Sequence, residues 1–477
     1  MIIENRLFQV TLFVLCGMVM SCANEAQHSN DNERIQPYSG NPYYWQYKGK
    51  PVLLLGGSDD DNLFNNPDSL APNGLKSHLD LLVSSGGNYV RNTMSDRDKG
   101  NVYAFAREGD QYDLSKWNDE YWRRFENFLH LTVERSIIVQ IELWDMWDLV
   151  RGNWSRHPFN PANNINYTAE ESGLLINVDF DPAEEPTKHS FFHTVPELQN
   201  NQVVLNYQEA FIDKILDISL SYPNVLYCIN NESGEPKEWS LYWAQIIHKK
   251  AKEHKVIAQV TDMRRREDIT HPTHQIVYDD NEIYTFADVS QNTGYQVKDR
   301  QLQYERLLRV REALGKSPKP INNVKIYNDN FGGVPKYMRN VFAGLASTRF
   351  HRPIVPWSGP GGTRGLGLSE EAQQVIQSVR RFTDAIDWFK CKPRRDLLSH
   401  QDGVYLMALE GKQYALGFDG GGTVDLNASS LTGTASMKWM NMRLGEWIDG
   451  GQVEPGIIAL QTPGDGLWMV LISVLNQ

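Results

Sequence analysis

An apolar run, Val225-Leu226-Tyr227-Cys228-Ile229, ends in Asn230-Asn231-Glu232. A carboxyl group flanked by amides at the end of such a run could exchange a proton with a bound oxygen. The same grammar recurs along the chain. Asn88-Tyr89-Val90 leads to Arg91 and Asn92. Ile137 to Leu143 brings Glu142, then Trp144, Asp145, Trp147 and Asp148. Val256 to Val260 precedes Asp262, and Ala287 to Ser290 precedes Gln291 and Asn292. Ile321 to Ile326 carries Lys325 and runs into Tyr327 and Asp329, while Ser58, Asp59, Asp60 and Asp61 follow Pro51 to Leu55. Trp357 follows Pro353 to Pro356. Cleaving a glycosidic bond requires one carboxyl to protonate the leaving oxygen and a second as base or nucleophile. Amides and Arg orient hydroxyls, and Trp covers a sugar face. Taken singly, each carboxylate is an ordinary loop charge; the repetition at successive run ends is what points to a site.

Those ends need a scaffold that gathers them. Short apolar runs alternating with amphipathic stretches predict parallel βα units, and eight runs predict a (β/α)₈ TIM barrel whose site lies on the loops after its strands. Helices are predicted over Leu75–Ser84, from Asp119 as cap through Trp122, Phe125, Phe128, Leu129 and Val133, and over Tyr207–Leu220, Trp239–His254 and Glu370–Phe389. Arg151 to Asn201 breaks the rhythm, as a functional loop or insertion does. The eighth strand falls on Phe342–Ala346 or Pro353–Pro356. Beyond Lys392 the pattern becomes all-β: Val404–Leu409, Gln413–Phe418, Gly422–Leu426, Ala435–Met440 and Trp468–Ile472, split by Gly and Asn turns. The expected organisation is a signal peptide over 1–22, a flexible tether over 23–37, a barrel over 38–391 and a small β-sandwich over 392–477.

Arg6 precedes an apolar stretch from Leu7 to Met20, short for a membrane span and fitting for a signal peptide. Val19-Met20-Ser21-Cys22 resembles a bacterial lipobox, which implies lipidation at Cys22 and export to the cell envelope, at the outer membrane or in the periplasm. The lipid anchor is the only membrane contact expected. A formal net charge of −12 argues against a nucleic-acid partner. The 13 Trp and 21 Tyr are mostly packing residues, with some left for a sugar cleft. Cys228, inside its apolar run, reads as a buried free thiol, and whether it pairs with Cys391 stays open. No metal-ligand spacing and no cofactor motif appears.

The run from Val225 to Glu232 resembles strand four of the clan A glycoside hydrolases, where Asn-Glu ends the strand. Arg91 after Asn88-Tyr89-Val90 is similar to the strand-two Arg of that clan. Gly420-Gly421-Gly422-Thr423-Val424-Asp425-Leu426, Trp439, Arg443-Leu444-Gly445-Glu446-Trp447 and Thr462 to Trp468 resemble a β-domain labelled collagen-binding. That domain follows clan A barrels in many Bacteroidetes lipoproteins. The resemblance implies hydrolysis of a polysaccharide or oligosaccharide without a cofactor. It casts Glu232 as acid/base with a raised pKa, Asn231 as a hydroxyl ligand beside the scissile bond, and Glu235 as the rival acid. The clan's nucleophile, a Glu ending strand seven, has no counterpart here; Lys325 stands near its place in Lys319-Pro320-Ile321-Asn322-Asn323-Val324-Lys325-Ile326-Tyr327. Three accounts remain. The enzyme inverts, with Glu142, Asp145, Asp148 or Asp262 activating water; or it takes its nucleophile from a neighbouring strand; or it binds glycan without cleaving it. Lys325 suits an anionic sugar, or equally a salt bridge to a barrel carboxylate.

Overall fold

The computed structural model describes residues 32–65, 74–95, 97–98, 100–150, 152–178, 188–232, 234–293, 299–328, 332–353 and 365–475. The expected signal peptide, Cys22, Asp329 and Trp357 lie outside them. Eight parallel strands follow in chain order: β1 (Leu54–Gly57), β2 (Tyr89–Thr93), β3 (Ile138–Asp145), β4 (Val225–Asn231), β5 (Val260–Thr261), β6 (Ala287–Asp288), β7 (Ile321–Asn322) and β8 (Ser347–Phe350). Six form one sheet in the order β5-β4-β3-β2-β1-β8, and β6 pairs with β7 in a second. Further backbone bonds run from Thr285 N–H to Val260 O at 2.9 Å and, between the β7 and β8 segments, from Ala346 N–H to Ile321 O at 2.8 Å, Ile326 N–H to Arg349 O at 3.0 Å and His351 N–H to Ile326 O at 3.1 Å.

Residue type explains this geometry. All eight residues of β3 are buried, the mark of a parallel strand covered on both faces. At Gly56 a Cβ would lie 2.0 Å from the Tyr89 carbonyl oxygen, so β1 approaches β2 only as glycine. Helices α1 (Leu75–Ser84), α2 (Asp119–Glu134), α3 (Gln202–Ser219), α4 (Lys237–Glu253), α5 (Arg300–Ala313), α6 (Gly333–Phe342) and α7 (Glu370–Thr383) fall between or after the strands. In α2 the apolar spacing buries Trp122, Phe125, Phe128 and Leu129.

The structure corrects several boundaries. The cap of α2 is Asn118, whose side chain accepts from the Glu120 N–H, and Asp119 is already helical. The eighth strand is Ser347–Phe350; Phe342 instead ends α6. Helix α7 stops at Thr383, short of Phe389. Order starts before residue 38: Ile35 is buried, and Gln36–Pro37 pairs antiparallel with Trp45–Gln46. The polar insertion folds on its asparagines: Asn160, Asn163 and Asn164 side chains donate to backbone carbonyls between Trp154 and Ile176.

The C-terminal strands are β9 (Lys392–Pro393), β10 (Val404–Leu409), β11 (Gln413–Phe418), β12 (Thr423–Asn427), β13 (Ala435–Asn441), β14 (Trp447–Val453), β15 (Ile457–Gln461) and β16 (Trp468–Val474). A six-stranded antiparallel sheet, β9-β10-β11-β16-β13-β14, stands with the pair β12-β15 as a sandwich. Strands β9, β14 and β15 have no counterpart among the five expected from the sequence. Trp439 is core, 5.5 Å from the Phe418 ring, while Trp447 stacks on Phe382 of α7 at 5.7 Å. Arg339 of α6 pairs with Asp419 after β11, and both are buried. Cys228 and Cys391 are buried free thiols.

Candidate active site

Every residue of β4 is buried, so the strand carries its last residues to one fixed point. There the backbone turns through Glu232 at φ 61°. A glutamate in the left-handed region stores strain, and strain of this kind collects at functional sites. Lys325 reaches the same point from beyond β7. Its segment lies between β7 and a parallel bridge from Ile326 to Phe350, and neighbours hold it: Ser290 Oγ accepts from the Val324 N–H at 2.8 Å, and Arg349 donates to the Val324 carbonyl at 2.7 Å. The Lys325 ammonium donates to Glu232 Oε1 at 2.6 Å and to Asn231 Oδ1. Burial works against a charged Glu232, but Lys325, with help from Gln291 and Arg91, outweighs it and holds the carboxyl below the usual glutamate value. The expected raised acid is therefore corrected: Glu232 rests as a carboxylate.

Beside this pair lies a charge lattice. Arg91 grips Glu142 at 2.7 Å and Asp61 at 2.5 Å. Asp61 also meets Arg97 at 3.2 Å and Arg352 at 2.7 Å. Burial alone would raise Asp61, but Arg352 and Arg91 bring it well below the usual aspartate value. Arg97 continues to Asp145 and, at 3.4 Å, to Asp148, which Ser95 Oγ also contacts. Burial and the adjacent Asp145 push Asp148 up to about 7. Glu142, fully buried, is raised by burial against the pull of Arg91. A cavity of about 30 Å³ lies against Asp145, Asp148, Trp144, His157 and Phe159.

Three expected ligands, Asn92, Asn292 and Trp144, and the catalytic candidate Asp262 are held by contacts with the scaffold. Asn92 accepts from the Leu63 N–H at 2.7 Å and donates to the Thr93 carbonyl, fixing the loop after β1. Asn292 exchanges bonds with Gln303 of α5 at 2.9 and 3.0 Å. Trp144 is buried among Phe159, Phe191, Phe211, Trp239 and Trp243. Asp262 faces Ser240 and Arg264 at 2.9 and 3.1 Å. Trp147 lies half-buried under Arg265, and the Tyr327 ring meets His351 at 5.0 Å. The sequence reading missed Arg97, Arg349, His351 and Arg352. The run Arg349-Phe350-His351-Arg352 was a signal, hidden once the eighth strand had been placed elsewhere.

No family model matches the sequence, and no curated protein does. Solved structures do. A chain described as a glycoside hydrolase aligns over 93% of this chain and 97% of its own, with TM-score 0.62 at 13% identity. A glycoside hydrolase family 5 protein from Bacteroides vulgatus aligns over 93% of each chain, with TM-score 0.61 at 13% identity. The chain shares the fold of these glycoside hydrolases. A family 5 mannosidase from Rhizomucor miehei matches 74% of this chain and 97% of its own, with TM-score 0.50 at 13% identity. Its shorter span agrees with a parallel α/β unit that carries an added β-sandwich.

Proposed function

We propose that this chain is a glycoside hydrolase on a (β/α)₈ barrel, acting on a polysaccharide or oligosaccharide that bears acidic groups. The observation that carries the reading is the Lys325–Glu232–Asn231 contact at the strand ends. An ammonium has three hydrogens, and two of Lys325's are committed to Asn231 and Glu232. A sugar carboxylate or sulfate that draws Lys325 to itself releases Glu232 to take up a proton. The protonated Glu232 then donates to the leaving oxygen while water attacks the anomeric carbon. Asp145 and Asp148 are the carboxyls at the end of β3 that can take the proton from water. Both pair with Arg97, as Glu142 does with Arg91 and Asp262 with Arg264; the cavity that Asp145 and Asp148 line is what favours them. The barrel occupies 38–391 and the sandwich 392–477, and a lipid on Cys22 holds the protein to the cell envelope.

The test is a panel of neutral, uronic and sulfated oligosaccharides, scored for new reducing ends with the parent and with Glu232→Gln. The parent should cleave acidic members, and the variant, with its fold intact by circular dichroism, should cleave none. A variant as fast as the parent removes Glu232 from the chemistry. Lys325 standing where the clan keeps a carboxylate favours a second reading, a glycan-binding protein without turnover. Calorimetric binding of a panel member with no new reducing ends selects it.

A further inference from the structure

Three residues beyond Glu232, the Glu235 side chain is completely buried. Its Oε2 accepts from Asn230 Nδ2 at 3.1 Å, and Asn230 Oδ1 accepts from the Met146 N–H at 3.1 Å. Its backbone carbonyl accepts from Arg264 Nη2 at 3.0 Å. One residue thus ties the turn after β4 to the turn after β3 and to the turn after β5. Its other oxygen, Oε1, has no hydrogen-bond partner among the described residues and lies 3.6 Å from Arg264 Nη1. That guanidinium is already committed to Asp262 at 3.1 Å. Among the described residues, Asp262, Arg264 and Tyr284 are titratable or charged groups that face Glu235. Burial holds the Tyr284 phenol far above its ordinary value, so it stays neutral. Two buried carboxyls therefore share one positive charge, and a buried charge without its own partner is costly.

We propose that Glu235 is a positioning residue for Glu232: as a neutral acid it locks the turn that bears the left-handed glutamate, and on ionising it lets that turn go. The proposal rests on Glu232 being the working carboxyl. Burial and the neighbouring Asp262 push Glu235 up to about 8, so the lock is closed at neutral pH and opens in alkali. Once charged, Glu235 repels Asp262, and the single positive charge of Arg264 is divided between the two.

Hydrogen exchange of the amides between 225 and 239, in the full chain, reads the turn directly. After correction for intrinsic rates, the parent should lose protection by about tenfold between pH 7 and pH 9. Glu235→Gln cannot ionise and should keep it; Asp262→Asn removes the repelling charge and should keep it as well. A parent with no loss, or variants that lose as much as the parent, overturns the proposal. On any glycoside the protein cleaves, Glu235→Gln should abolish the alkaline fall in kcat and leave KM in place. If nothing in the panel is cleaved, the hydrolase reading fails, yet the exchange experiment still decides the role of Glu235.

Discussion

Lys325 Nζ lies 2.6 Å from Glu232 Oε1, although the two come from strand ends that are not neighbours in either sheet. Removing the ammonium strands a buried carboxylate, which typically costs about 3 kcal/mol. Lys325→Met should lose about that much at pH 7 in urea denaturation. The pH dependence has a definite sign. Glu232 is held below its ordinary value, so the pair stabilises the fold above the unfolded glutamate value and loses that contribution as pH falls through the lower folded one. The gap between parent and variant should therefore narrow at pH 4. An equal gap at both pH values means that the loss comes from packing.

Much of this architecture can be read from the chain, because burial on both faces of a parallel strand leaves uninterrupted apolar runs such as β3 and β4. Strands β5, β6 and β7 have two residues each, too few for any period. The eighth strand was misplaced because Ser347-Thr348-Arg349-Phe350 buries an arginine in its interior, which no hydropathy pattern reveals. Residue types and strand ends single out Glu232, Asn231, Gln291, Arg91 and Lys325 as candidates, and the structure brings these together. What they cannot reveal is the pairing: a carboxyl proposed as a raised acid is lowered because Lys325 reaches it.

Trp144, a tryptophan at a strand end, borders the cavity beside Asp145 and is also held by packing. Its ring lies 5.4 to 5.9 Å from the rings of Phe191, Phe211, Trp239 and Trp243. Trp144→Ala opens a cavity in that cluster and should cost about 3–5 kcal/mol by chemical denaturation. A loss below about 1 kcal/mol would show that the ring is not held by the core.

Asp148 gives a second pH test. Burial and Asp145 raise it to about 7, so the folded protein holds a proton there that the unfolded chain releases near the ordinary aspartate value. The fold loses stability as pH rises from about 4 to about 7. Asp148→Asn keeps an oxygen for Ser95 and has no charge to bury. Its thermal midpoint should exceed that of the parent at pH 8 and approach it at pH 4. A constant offset across that range refutes the assignment.

The last prediction concerns the junction. Arg339 of α6 and Asp419 after β11 are both buried, and Tyr405 donates to the same carboxylate at 3.1 Å. Behind them Tyr405, Met407, Met440 and Met469 belong to the core that also holds Phe342 and Phe382 of the α/β unit. A shared core should make the two units unfold as one. Asp419→Ala leaves the Arg339 guanidinium buried without its carboxylate, at a cost of about 3–5 kcal/mol. That loss falls on the junction, because the sandwich also has a separate apolar cluster of its own around Leu406, Leu416, Trp439 and Val470. Calorimetry of the parent should show one transition, and Asp419→Ala should lower it and split it. If the variant melts in a single transition at the parental midpoint, the salt bridge does not hold the sandwich in place.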